Sequence, residues 1–316
     1  MLIQGSTIKD LFAITDLSAT PCCVVVGDIR VVGPTLPAGI AQCVVTSPPY
    51  WTHRDYGSAS QLGQEASPQE YATSIAECAA AFRCSLKDDG TFWLNVGDTY
   101  AKKRLPGGIK AKDLVGIPWL VAQALRADGW FLRSSVVWHK PNPTPESVKN
   151  RPTQAYEHVF LLSKAAQYYY DYMAISEKAI YAEQHARKAT SWGTHRKHPN
   201  KANVANYAFV GENHTTLPGG RKNSRNVWTM ATKPYRGAHV APFPVDLPTK
   251  CIKAATREGD LVFDPFCGAA TTAIAALRLN RRFLGVELNR ATAEEARERI
   301  LRETGVAAIV LFGDGV

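Results

Sequence analysis

Ser47-Pro48-Pro49-Tyr50-Trp51 stands directly behind the apolar run Cys43-Val44-Val45-Thr46. Successive prolines stiffen the backbone and remove N–H donors, so the surrounding carbonyls are left to accept hydrogen bonds from an amine. The Ser47 hydroxyl and the Pro48 carbonyl can together hold an NH2 group, and Tyr50 offers a flat face on which a planar heterocycle can stack, with Trp51 in support. Taken alone, the same residues also make an ordinary strand terminator with an aromatic packed beneath it.

A second set of chemically suggestive residues lies at Asp264-Pro265-Phe266-Cys267-Gly268-Ala269-Ala270-Thr271-Thr272, behind the apolar run Leu261-Val262-Phe263. A tight turn of small residues between a strand and a helix lets a ligand approach the backbone N–H groups at the helix start. No lysine precedes Thr271 or Thr272, so a triphosphate would find no counter-charge. Glu287 ends the next apolar run, 19 residues beyond Gly268, where an acidic group suits hydrogen bonds to ribose hydroxyls. Together these ends fit an adenosine carrying an amino acid. Ala270 is harmless to such a ligand if its φ is negative and obstructive if its φ is positive.

These loops need strands and helices to hold them. Runs rich in branched apolar residues recur at 22–26, 43–46, 91–96, 132–138, 158–162, 261–264 and 283–287, separated by helical patterns. That alternation predicts an α/β fold with a doubly wound, seven-stranded, mostly parallel sheet. Open α/β sheets place ligands at the carboxyl ends of their strands, where both loops fall. Residues 68–86 read as a helix, with Ser67 as N-cap, Pro68 in the first turn, Glu70 completing a capping box, and Tyr71, Ile75, Cys78, Phe82 and Leu86 as its apolar stripe. Further helices are expected over 112–127, 273–279 and 291–301.

The 316 residues contain no run of eighteen apolar side chains and no basic-then-apolar leader, which points to a cytoplasmic protein without a membrane partner. Seven cysteines without C-x-x-C spacing read as buried free thiols. The formal charge of +9 is concentrated between residues 172 and 236, with eleven Lys and Arg against three Glu. Periodicity fades there, and isolated aromatics such as Trp192, Tyr207, Phe209 and Trp228 stand among Gly, Asn and His. His185, His195, His198 and His214 lack the spacing and cysteine partners of a metal site. The chain thus divides into 1–171, a basic insertion at 172–236, and 237–316. Lys102-Lys103-Arg104 with Gly107-Gly108 reads as a separate mobile basic loop.

Thr46-Ser47-Pro48-Pro49-Tyr50-Trp51 resembles motif IV of the amino-group DNA methyltransferases, in which Asp or Ser, two prolines and an aromatic hold the target amine. The serine form looks most like the cytosine-N4 members, Asp being usual in adenine-N6 members. The block from Asp264 to Thr272 resembles motif I and Glu287 motif II, although Ala270 stands where the family usually has its second glycine. The resemblance implies S-adenosylmethionine as cofactor, with Asp264, Phe266, Gly268, Thr271 and Thr272 lining its methionine part and Glu287 on its ribose. Motif IV before motif I matches the circularly permuted β-class and its Rossmann-like methyltransferase fold.

Gly27-Asp28 then corresponds to motif III, placing Asp28 near the cofactor adenine, with Gly313-Asp314 as the alternative of the same form. The likeness extends through Gln61-Leu62-Gly63, Leu94-Asn95-Val96-Gly97-Asp98 and Lys140-Pro141-Asn142-Pro143. It ends at His239-Val240-Ala241-Pro242-Phe243-Pro244, whose Phe243 would close over the methionine end.

The basic insertion would be the target-recognition region, meeting phosphates and base edges of double-stranded DNA. The expected activity is N4-cytosine methylation by base flipping and direct in-line transfer, with Ser47, Pro48, Pro49 and Tyr50 as the catalytic loop and a restriction endonuclease as a companion. Adenine-N6 methylation stays open, as does a non-catalytic DNA-binding subunit. Pro21-Cys22, which a C5-cytosine mechanism would use as nucleophile, opens a strand rather than ending one. A dinucleotide oxidoreductase would account for Glu287 but not for the proline loop.

Overall fold

The computed structural model describes residues 2–5, 15–17, 19–52, 61–178, 221–233 and 242–313. The chain separates into two compact units, Met1–Tyr170 with Asn226–Val316, and Asp171–Arg225. In the larger unit the strands are β1 (Leu2–Gly5), β2 (Cys22–Val26), β3 (Ala41–Thr46), β4 (Leu86–Val96), β5 (Phe131–His139) and β6 (Tyr156–Ser163). The smaller unit contributes β7 (Glu177–Lys178) and β8 (Arg221–Lys222), an antiparallel pair. The larger unit resumes with β9 (Val227–Thr229), β10 (Leu261–Asp264), β11 (Arg282–Glu287) and β12 (Ile309–Gly313).

Among the described residues the main sheet has ten strands in the order β1-β12-β2-β11-β10-β3-β4-β6-β5-β9. The seven expected strands form its unbroken middle, and β1, β12 and β9 extend it beyond the count read from sequence. Within this sheet, among the described residues, only the β4–β6 and β6–β5 pairings are antiparallel. β2, β3 and β10 are buried at every position, as strands covered on both faces must be, and this explains their unalternating apolar composition. Helices supply that cover: α1 (Ile29–Val32), α2 (Pro68–Phe82) and α3 (Ile117–Ala127) pack together on one face. α4 (Asp246–Ala255), α5 (Thr271–Arg278) and α6 (Arg290–Thr304) pack together on the other.

Two helices differ instructively from expectation. α2 begins as read, with the Ser67 hydroxyl accepting from Glu70 N at 3.2 Å, but Glu70 Oε2 accepts from Ala66 N, one residue short of a capping box. The helix ends at Phe82, and Leu86 belongs to β4, although Tyr71, Ile75, Cys78, Phe82 and Leu86 all stay buried. Phe82 meets Phe92 of β4 and Phe263 of β10 edge-on, at 5.3 and 5.7 Å between ring centres. α3 starts at Ile117, not at residue 112, because Lys112 and Gly116 both have left-handed backbones, φ +74° and +83°. Gly116 has no side chain with which to cap. The Asp98 carboxylate at the end of β4 does so instead, accepting from Gly116 N and Ile117 N at 3.0 Å.

Trp228, read as part of the basic insertion, is instead buried on β9, with its ring 5.9 Å from that of Trp93. Six of the seven cysteines are buried and Cys84 is exposed. Cys22 lies inside β2, where burial drives its thiol far above the usual range. Among the described residues no helix is long and apolar enough to cross a membrane.

Candidate active site

The proline loop and the small-residue turn end neighbouring strands. β3 and β10 pair in parallel, Cys43 opposite Val262 and Val44 opposite Phe263, so Ser47 and Pro265 leave the sheet side by side. From β10 the chain crosses to β11 on one side, and from β3 to β4 on the other, which makes this junction the topological switch point where such sheets form their ligand crevice. Side chains tie the two ends together: Thr46 Oγ1 donates to Asp264 Oδ1 at 2.5 Å and Thr272 Oγ1 to the Val45 carbonyl at 3.3 Å.

Within the proline loop, Pro48 is buried while Ser47, Pro49 and Tyr50 are half-buried. The Tyr71 hydroxyl on α2 donates to the Pro49 carbonyl at 2.8 Å, and Trp51 is buried with Nε1 donating to the Glu65 carbonyl. Tyr50 is tethered at its tip. Its hydroxyl donates to Glu157 Oε2 at 2.6 Å and lies 3.3 Å from both Ser47 Oγ and Asn95 Oδ1. Burial and the adjacent Glu157 carboxylate hold the phenol well above its usual range, so it is a neutral donor. The ring passes against Gly97, where any Cβ would come within 2.7 Å of Tyr50 Cε2. Gly63 crowds the same residue from another side: its φ is +94° and a Cβ there would sit 2.8 Å from the Tyr50 carbonyl oxygen.

The small-residue turn is organised around two carboxylates. Asp264 is 2% exposed and accepts from Phe266 N at 3.1 Å. Burial raises its carboxyl to about 6, against the Thr46 and Thr272 hydroxyls and the Phe266 N–H, which favour the charged form. Glu287 accepts from Gly268 N through Oε2 and from Asn289 N through Oε1, each at 2.9 Å. Burial raises its pKa too, opposed by those N–H groups. Each Glu287 oxygen keeps a second lone pair for hydroxyl donors, whereas Asp264 Oδ1 is already filled by Thr46 Oγ1 and Phe266 N. Thr271 and Thr272 open α5 and are buried; Phe266 is half-buried against the core. Ala270 has φ +60° and ψ +32°, the positive-φ case, at a backbone cost of about 1–2 kcal/mol.

Arg299 holds this turn in place. Its side chain, on α6, is nearly buried; Nη1 donates to the Ala269 carbonyl at 2.7 Å and to Thr271 Oγ1 at 3.1 Å, and Nε to Glu303 at 2.8 Å. Arg299→Leu is expected to destabilise the protein by about 2–3 kcal/mol, because it leaves a buried carbonyl without this donor. Urea melts of the purified variant measure the loss; an unchanged midpoint would show that the turn keeps its shape without Arg299.

The other expected cofactor residues sit on the same sheet edge. Asp28 follows β2, the neighbour of β11, and Gly27 N donates to the Glu287 carbonyl at 2.9 Å. Its carboxylate is engaged by Arg30, whose Nη2 lies 2.5 Å from Oδ2. Burial opposes ionisation, yet the Arg30 side chain and backbone N–H hold Asp28 below the ordinary range. The competing Gly313 ends β12, one strand further from β11, and Asp314 lies outside the described residues. Phe243 is half-buried ahead of α4, which runs back toward the start of β10 and so begins at the site's edge. Residues 239–241 of the same motif, and Trp192, Tyr207, Phe209 and the four histidines of the insertion, lie outside the described residues. Among the described residues no cluster of His, Cys, Asp and Glu could hold a metal ion.

Glu157, Asn95 and Arg299 were not singled out as site residues from sequence. Glu157 is the second residue of β6, 107 positions from Tyr50, and it also accepts from Asn95 Nδ2 at 3.0 Å and pairs with Lys140. Nothing local to residue 157 signals that junction. Arg299 did leave a signal, as a charged residue beside Ala296 and Ile300 on the buried face of a helix.

Strand order defines a doubly wound α/β protein whose candidate ligand crevice opens between the ends of β10 and β3. The DNA methylase family covering N6 and N4 enzymes matches residues 41–298, and the chain belongs to this S-adenosylmethionine-dependent family. It is 38% identical over 301 residues to the Type II methyltransferase M.SmaI of Serratia marcescens, covering 89% of this chain and 91% of that one. Identity is again 38%, over 297 residues, to M.Cfr9I of Citrobacter freundii, covering 88% and 87%. Among solved structures it is similar to TTHA0409 of Thermus thermophilus, assigned as a DNA modification methylase and solved with S-adenosyl-L-methionine. That likeness has a TM-score of 0.62 and 25% identity, and covers 93% of this chain and 99% of that one. The cytosine-N4-specific PvuII DNA methyltransferase shares the fold, at a TM-score of 0.59 and 19% identity, covering 92% and 98%.

Proposed function

We propose that the chain transfers a methyl group from S-adenosylmethionine to N4 of cytosine in duplex DNA. The observation that carries this reading is the parallel β3–β10 pairing, which sets an amine-holding loop beside a cofactor-type turn and links them through Thr46 and Asp264. The serine at position 47 favours cytosine over adenine. When bound, the cofactor supplies an electrophilic methyl on a cationic sulfur. Asp264, Phe266, Gly268, Thr271 and Thr272 would hold its methionine part, Glu287 its ribose, Asp28 its adenine end and Phe243 the cover over it. The buried carboxylate of Asp264 and the spare lone pairs of Glu287 suit a ligand with a cationic amino-acid end and a diol.

The protein's own task is positioning. A base extruded from the duplex, at a cost of a few kcal/mol, stacks on Tyr50, whose ring Glu157 and Gly97 fix in place. Ser47 Oγ and the Pro48 carbonyl accept from the exocyclic amine and aim its lone pair along the bond to be broken. No protein nucleophile is needed. The basic segment 172–236, less the stretch around Trp228, would read the target sequence. The Type II designation of both relatives supports a companion restriction endonuclease.

Duplex DNA incubated with enzyme and S-adenosylmethionine, then digested to nucleosides and weighed by mass spectrometry, is expected to yield N4-methyldeoxycytidine. N6-methyldeoxyadenosine in its place would reverse the base assignment, and absence of both would overturn the catalytic reading.

A further inference from the structure

Residues 99–116, between β4 and α3, carry Lys102, Lys103, Arg104, Lys110 and Lys112, all exposed, and a single acidic residue, Asp113. Asp113 turns its carboxylate onto Lys110 N at 2.8 Å. Among the described residues none of the five cations forms an ion pair. The loop read from sequence as mobile is internally bonded. Ala101 N donates to the Asp113 carbonyl, Lys112 N to Ala101, Val115 N to Thr99 and Leu105 N to Ile109, at 2.7–3.0 Å. The Asp98 carboxylate closes its base by accepting from Thr99 N at one end and Gly116 N and Ile117 N at the other. Arg151, from the segment that follows β5, stacks on Tyr100 at 3.6 Å and steadies it from outside.

The position of this loop is as informative as its charge. β4 is the parallel neighbour of β3, so the loop leaves the sheet at the same edge as Ser47-Pro48-Pro49-Tyr50, one strand away. Unpaired cations on a hydrogen-bonded frame, at the edge where a flipped base must enter, match a polyanion that passes over that edge. Each DNA strand presents a phosphate about every 3.4 Å. We propose that Lys102, Lys103, Arg104, Lys110 and Lys112 form a second DNA-binding surface, which grips the sugar-phosphate backbone of the duplex flanking the extruded base without reading sequence. This surface is separate from the basic insertion and rests on the DNA reading given above.

The test compares wild type with Lys102→Ala/Lys103→Ala/Arg104→Ala in duplex-DNA titrations over a range of salt concentrations. A control, Arg126→Ala/Lys253→Ala/Arg302→Ala, removes the same charge from exposed residues near the far ends of α3, α4 and α6. The loop variant is expected to lower the slope of log Kd against log salt by about 2–3, since each phosphate contact contributes about 0.9. Its KM for DNA should rise about tenfold or more at physiological salt, by the same counterion release, with kcat at saturating DNA unchanged. The control should keep the wild-type slope. An unchanged slope in the loop variant, or an equal loss in the control, overturns the proposal while wild-type methylation leaves the activity standing. A wild type that binds no duplex overturns both.

Discussion

Ser47→Ala is expected to cut methyl transfer by about 10²–10³-fold while S-adenosylmethionine binds as before. An exocyclic amine donates its lone pair into the ring, and it becomes a nucleophile only when its hydrogens are held so that the lone pair turns toward the methyl. On the proposed reading two acceptors would serve that purpose, the Ser47 hydroxyl and the Pro48 carbonyl, and only the first can be removed by substitution. Deleting one preorganised hydrogen-bonding group at a reacting centre typically costs about 3–4 kcal/mol of transition-state stabilisation. The loss should fall on kcat, since the base is still flipped and still stacks on Tyr50. Cofactor affinity, read by calorimetry, should hold, because the cofactor-type turn is built on β10 and α5 rather than on Ser47. Tyr50→Phe offers the complementary measurement: it keeps the stacking face and removes the hydroxyl that donates to Glu157 and meets Ser47 Oγ and Asn95 Oδ1 more weakly. It should cost far less than Ser47→Ala. Turnover by Ser47→Ala at the wild-type rate would remove the proline loop from the chemistry.

How much of this site could be read in the residues follows from the range of the forces involved. The strand-loop-helix units were legible because a strand buried on both faces must be apolar throughout, and because a turn that brings backbone close to a ligand must be built of small residues. Their adjacency was legible too, since strands of one parallel sheet end at common edges. What escaped were contacts between elements distant in sequence. The carboxylate that pins Tyr50 comes from an antiparallel strand 107 residues away, and a pattern that marks β6 as a strand says nothing of what its first residues face. The start of α3 escaped because Asp98, eighteen residues before Gly116, does the capping that a local side chain would ordinarily do. Ala270 is an intermediate case. The sequence marked the sign of its φ as the question for ligand approach, and only the structure shows that φ to be positive, with Arg299 bonded to Ala269 and Thr271 on either side of it.

Asp264→Asn should make the cofactor-free protein more stable at neutral pH and at the same time weaken its affinity for S-adenosylmethionine. The Asp264 carboxyl is pushed up to about 6 in the fold, chiefly by burial, from an ordinary value of 3.8. An acid whose folded pKa is raised prefers its proton in the native state. Its penalty is therefore absent below about pH 4, grows as pH rises toward 6, and is constant above. Two units correspond to about 3 kcal/mol at neutral pH, at about 1.36 kcal/mol per unit.

The amide is neutral at every pH and removes that penalty. It keeps one oxygen for the Thr46 hydroxyl and Phe266 N, and the Thr272 hydroxyl can turn fully to the Val45 carbonyl, 3.3 Å away. Thermal melts at pH 8 should show a higher midpoint for the variant, and the gap should close as pH falls from 6 to 4. Cofactor binding runs the opposite way. A cationic ligand draws on the ionised carboxylate, so wild-type affinity should be level above pH 7 and fall by up to about tenfold per pH unit below 6, whereas the variant should bind weakly at all pH values. A variant less stable than wild type at pH 8, or one with wild-type affinity, would show that Asp264 supports the turn rather than meeting the charge of the cofactor.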